Sequence, residues 1–223
     1  MRSRFLPLFV AAVLVGPVPA PANAEPVRSD GSAPSADTAD AADTAGRAGT
    51  ESGSGPVRPP FPDNTDDVFL GEVIEAADAH RARHGAPPLE PDGELNALAL
   101  ERAREFSEYE GLDEGHRGRE PGHGETVHYS ASTDPAAEPS GADAVDDWYA
   151  GSEEYDYEAP GFSPQTGAFT QLVWKATTKV GVARVSEPES SQDTWREHYV
   201  VLVYAPPGNI RGEYGENVLP PEG

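Results

Sequence analysis

The run Tyr199-Val200-Val201-Leu202-Val203-Tyr204 constrains the fold more than any other stretch of the chain. Its apolar and aromatic residues are consecutive rather than alternating, which is the pattern of a strand buried on both faces. Pro206-Pro207-Gly208-Asn209 ends the run abruptly, because proline lacks the amide proton that a sheet ladder needs. A second β-rich run covers residues 180–185. The Ser/Glu/Pro-rich residues 186–193 between the two read as a hairpin loop. Trp195 stands just ahead of the longer run, where it either starts the strand or lies partly exposed.

Helical spacing dominates upstream. Val68, Phe69, Val73, Ala77 and Arg81 recur on one face and predict a helix ending at His84-Gly85. Gly85 suits a left-handed cap, and Pro87-Pro88 prevents continuation. Asp92 can cap a second helix whose buried face carries Leu95, Leu98, Ala99, Ala103 and Phe106, finishing near Gly111. Residues 111–125 are rich in glycine and charge and read as a loop. Residues 141–150 predict a third helix with Val145, Trp148 and Tyr149 inward. Residues 152–166 are turn-rich and aromatic, and 169–175 suit a short helix. Helices mixed with non-adjacent strands predict an α+β domain with helices packed on a sheet.

The N-terminus carries different information. Arg2 and Arg4 precede the apolar residues 5–15, and Ala22-Asn23-Ala24 is a small-residue cleavage site. Residues 1–24 are therefore expected to be a secretory signal peptide; the apolar run is too short to span a bilayer. Residues 25–62 hold few large apolar side chains and read as a disordered tether rich in Ala, Asp, Ser, Thr, Gly and Pro. Residues 63–223 remain for one folded domain. The chain has no cysteine, which excludes a lipoprotein anchor, disulfides, thiol chemistry and Cys-ligated metal. Its net charge of -23 repels phosphate backbones and anionic lipid heads, so no nucleic-acid partner is expected. The expected location is extracellular.

Short motifs recur in a fixed order: Arg81-Ala82-Arg83-His84-Gly85-Ala86-Pro87-Pro88-Leu89, Gly115-His116, Gly124-Glu125-Thr126-Val127, Trp148-Tyr149, Gly167-Ala168-Phe169-Thr170-Gln171-Leu172-Val173-Trp174, the 200–209 segment, and Glu216-Asn217-Val218-Leu219-Pro220. Together they resemble the CAP superfamily of cysteine-rich secretory proteins, antigen 5 and pathogenesis-related 1 proteins, in a bacterial-type, cysteine-free form. The resemblance covers nearly all of residues 66–220 and implies a three-layer α-β-α sandwich.

It also implies a cavity with two histidines and two glutamates, a set able to hold Zn²⁺ or a similar ion. His116 matches the first histidine and Glu125 the first glutamate. The second histidine falls on Ala168 and the second glutamate on Gly151, neither of which has a ligand atom. Glu153 and Glu154 are near but need a register shift. His123 and His128 flank Glu125 without the helical spacing of a metalloprotease motif, and the plainer account makes them surface loop or strand residues. His84 is better explained by the local helix dipole; His80 and His198 are weaker candidates still. Core packing is the simpler role for Trp148, Tyr149, Phe169 and Trp174.

The resemblance thus implies a secreted, non-catalytic binding module with a degenerate cavity, with lipid, sterol or protein as ligand. No catalytic residue, metal or cofactor is assigned. The alternative is a weak metal-dependent hydrolase or protease using His116 and Glu125, which would form a general-base dyad.

Overall fold

The long apolar run becomes the inner strand of a four-stranded sheet. The computed structural model describes residues 58–109, 112, 121–134, 138–189, 191 and 195–222. All belong to one of the two units into which the chain divides; the other, Pro19–Gly55, lies outside them. The strands are β1 (Glu90–Pro91), β2 (Gly124–Ser132), β3 (Lys179–Ser186) and β4 (Arg196–Ala205), in the order β1-β3-β4-β2. β3 and β2 pair antiparallel on either side of β4, with Leu202 opposite both Val182 and Thr126. β1 adds parallel to β3. β4 outruns its apolar stretch at both ends, and Trp195 lies just before it, 56% exposed.

Successive side chains of β4 feed two cores, as strand geometry requires. Val200, Leu202 and Tyr204 pack with Phe69, Val73, Val145, Trp148, Phe169 and Leu172. Tyr199, Val201 and Val203 pack with Leu95, Ala99, Ala103 and Phe106. The helices are α1 (Asp67–Arg83), α2 (Gly93–Ser107), α3 (Gly141–Tyr149), α4 (Gly167–Leu172) and α5 (Tyr214–Asn217). The layers are thus α2, then the sheet, then α1, α3 and α4: the α-β-α sandwich expected of an α+β chain.

The helix ends follow local chemistry. The Asp66 carboxylate accepts from the Phe69 amide at 2.8 Å, and Gly85 adopts φ 63° just beyond the C-cap His84. Asp92 accepts from the Glu94 and Leu95 amides. Ser140 and Asp143 form a reciprocal capping box on α3. At Gly141 a Cβ would stand 2.6 Å from the Val73 amide nitrogen, so glycine permits the α1–α3 approach.

Several expectations need correction. Val68 is 70% exposed and its neighbour Phe69 carries the core contact. α2 ends at Ser107 rather than near Gly111, and Leu98 is only partly buried. The Arg58 guanidinium supplies donors beyond that end, to the Ser107 and Tyr109 carbonyls at 2.7 Å each. Arg58 also pairs with Glu197 at 2.7 Å, and Phe61 enters the α2-side core. Residues 58–62, placed in the tether by composition, therefore pack against the domain. β2 was missed as a strand because its sequence mixes polar residues that find partners only in the fold. Thr126 Oγ1 lies 3.1 Å from the Tyr204 hydroxyl, and His128 Nε2 lies 2.8 Å from Asp147.

Candidate functional site

Glu125 lies in β2 opposite Val203, whose side chain belongs to the α2-side core. Its carboxylate meets Arg102, on the same inner face of α2 as Ala99, Ala103 and Phe106. Arg102 Nε donates to Glu125 Oε2 at 2.6 Å, and Arg102 Nη2 donates to Glu125 Oε1 at 3.2 Å. Both side chains are almost fully buried. Arg102 Nη1 also bonds Glu105, which is half exposed. Burial opposes the arginine's charge, but the bond and charge of Glu125 outweigh it and hold the guanidinium above its ordinary value. Sequence reasoning missed Arg102. Its signal is a charged residue among apolar positions at helical spacing.

Ala168 belongs to the other core, on α4, and is buried there. Gln171, one turn later on α4, packs so close to Gly124 that a Cβ at Gly124 would collide with it. The Gln171 Oε1 also accepts from the Gly208 amide at 2.9 Å. α4 thus abuts the start of β2 while its Ala168 methyl stays in the apolar layer. Gly151 lies in the 3-10 turn Ala150–Glu154 after α3. A Cβ there would stand 3.0 Å from the Gln165 carbonyl and 3.2 Å from the Phe169 Cβ. Glu153 and Glu154, in the same turn, are exposed.

The histidines divide by environment. His116 lies outside the described residues. His123 is half-buried at the entrance to β2, and its Nδ1 is sequestered without a hydrogen-bond partner among the described residues. His128 is not a surface residue: it is buried in β2 against Trp148, with Asp147 on Nε2. His84 is buried too, its ring nitrogens bonded to the Leu219 carbonyl at 2.7 Å and the Tyr149 hydroxyl at 3.0 Å. Burial pushes its pKa down, which argues against the charged dipole role expected of it. His80 stacks on Tyr149 and reaches Asp146 at 2.7 Å.

His198 Nδ1 lies 2.8 Å from Ser186 Oγ. Burial lowers the His198 pKa to about 4, so it is a poor base near neutrality. Ser186 is buried and also takes a hydrogen bond from Asn64 at 3.0 Å. The pair is a structural tie rather than an accessible nucleophile. Trp148, Phe169 and Trp174 are core residues, whereas Tyr149 is partly buried.

The comparisons agree with this architecture. The profile of the cysteine-rich secretory protein family, CAP, matches residues 74–204. The human Golgi-associated plant pathogenesis-related protein 1 is 34% identical over 156 residues, which is 69% of this chain and 94% of that protein. The secreted protein RBT4 of Candida albicans is 33% identical over 183 residues, 78% of this chain but 47% of its own length. The chain therefore spans nearly all of the human relative and about half of the fungal one. Among solved structures, NaASP2 with Zn²⁺ superposes with a TM-score of 0.52 at 21% identity, covering 73% of this chain and 90% of that one. That likeness bears on the fold alone. Family profile, human relative and layer order agree, and the chain belongs to the cysteine-rich secretory protein (CAP) family.

Proposed function

We propose that this chain is an exported CAP-domain binding module whose cavity does no metal-assisted catalysis, and that its ligand is a lipid, a sterol or a protein surface. The observation that carries this reading is the buried Ala168 methyl on α4 at the position of the second cavity histidine. A methyl neither ligates a metal nor moves a proton. Gly151 supports the same reading, because the backbone of 165–166 and Phe169 crowd the place where a side chain would begin. With Ala168 and Gly151 at two of the four positions, only His116 and Glu125 of the cavity set carry a ligand atom, fewer than the three protein ligands a tetrahedral zinc centre needs. The N-terminal signal pattern and the secreted fungal relative support export.

The test pairs binding with turnover on the purified mature chain. A fluorescent sterol and a fluorescent fatty acid are titrated in, and general esterase and peptidase substrates are assayed with added Zn²⁺. Saturable binding of a lipid, without hydrolysis that depends on His116 or Glu125, is the expected result. Turnover abolished by both His116→Ala and Glu125→Gln would instead establish the hydrolase alternative.

A further inference from the structure

Arg102 interrupts an otherwise apolar face of α2. Leu95, Ala99, Ala103 and Phe106 line that face, and Arg102 is nearly as buried as they are. A cation in such a place needs a fixed counter-charge, since an unpaired buried charge is strongly destabilising. The fold supplies it from β2, where strand alternation turns Glu125 toward α2 beside Val203. The contact is a two-point fork through Nε and Nη2, the geometry in which arginine and carboxylate match best. Glu105 bonds the third nitrogen, and the guanidinium carbon lies 4.8 Å from the centre of the Phe106 ring. The cation is held from three sides.

We infer that Arg102 sets the state of Glu125: it holds that carboxylate as one half of an internal ion pair and so closes it to a divalent cation. This deepens the reading of the cavity proposed above and rests on it. A metal ion recruiting Glu125 would have either to displace the guanidinium from an oxygen or to stand on a remaining lone pair beside that buried cation, and charge opposes both. Water cannot compensate, because both partners are almost fully buried. Glu125 is then a positioning residue that locks α2 to β2 across the sheet face, and the resemblance-based role of cavity acid passes to a structural one.

Zn²⁺ titration calorimetry on the mature full-length chain tests this with wild type, Glu125→Gln, Arg102→Gln and the double variant. Glutamine at 125 keeps a carbonyl acceptor for Arg102 and loses the carboxylate. The expected result is that Glu125→Gln leaves the Zn²⁺ isotherm unchanged. Arg102→Gln is expected to tighten binding by about tenfold or more, a gain that the double variant loses. A tenfold weakening in Glu125→Gln alone would overturn the inference, as would a folded Arg102→Gln protein, checked by circular dichroism, with unaltered affinity. If Arg102→Gln does not fold, the Glu125→Gln comparison decides by itself. Tight wild-type binding that ignores Glu125→Gln has a different meaning: the metal-free cavity proposed above fails, while the role of Arg102 stands.

Discussion

At the scale of single residues, the buried cations matter most. The Arg81 side chain is fully buried and lacks a carboxylate partner within bonding distance among the described residues. Its guanidinium donates to the Pro87, Leu172, Trp174 and Thr177 carbonyls at 2.7–3.1 Å. It thereby gathers the exits of α1 and α4, and burial lowers its pKa to about 10. Arg81→Met keeps much of the volume and strands all these acceptors. The expected cost is at least about 3 kcal/mol, read as a lower midpoint in urea unfolding. An unchanged midpoint would mean that water replaces the guanidinium. Arg81 was legible in the sequence only as a helix-face position, and its charge gave no hint of its partners. Three of those carbonyls, at Leu172, Trp174 and Thr177, come from residues far along the chain.

At the scale of elements, two contacts can be tested. α3 crosses α1 at Gly141, where an added methyl would meet the α1 backbone at Val73. Backbone cannot yield as a flexible side chain does, so Gly141→Ala should destabilise by roughly 1–3 kcal/mol despite alanine's better helix propensity. A stabilised variant in chemical denaturation would contradict that packing. The second contact is the row of opposed residues Ser130, His198 and Ser186 across β2, β4 and β3. His198 is buried and neutral in the folded state, with its pKa down from 6.5 to about 4; Glu138 and Glu197 favour its charge, and Arg184 and Arg196 oppose it. The unfolded chain binds the proton at the ordinary value and the folded chain does not. This contribution to stability is thus complete above about pH 6.5 and is lost as pH falls toward about 4, by at most about 3 kcal/mol. His198→Asn should reduce that slope in melts recorded across the interval. Parallel wild-type and variant curves would show that His198 does not titrate as described.

At the scale of the whole molecule, the net charge of -23 without a single disulfide sets the balance. Like charges repel across the surface, and salt screens them with a Debye length near 10 Å at 0.1 M. The melting temperature should rise as NaCl goes from roughly 0.01 to 0.5 M, where screening becomes short-ranged. Calorimetry showing a fall would mean that local ion pairs such as Arg58–Glu197 and Lys179–Asp92 outweigh the global repulsion.

What the amino-acid sequence determined by itself is the set of features that short-range physics writes locally. The uninterrupted apolar run specified an inner strand, the Asp92 cap and Gly85 set helix ends, and the ordered motifs identified the family. Only the tertiary structure decided the rest. β2 carries no clean alternation because Glu125, Thr126 and His128 each have a polar partner on another element. The role of Glu125 was unreadable for the same reason. A carboxylate in a family motif suggests a ligand, but its charge is answered by Arg102, on a helix earlier in the chain. Local sequence sets backbone preference through steric and hydrogen-bonding rules that act within a few residues. The state of a buried charge depends on which distant residue the fold brings against it, and that is settled only when the layers close.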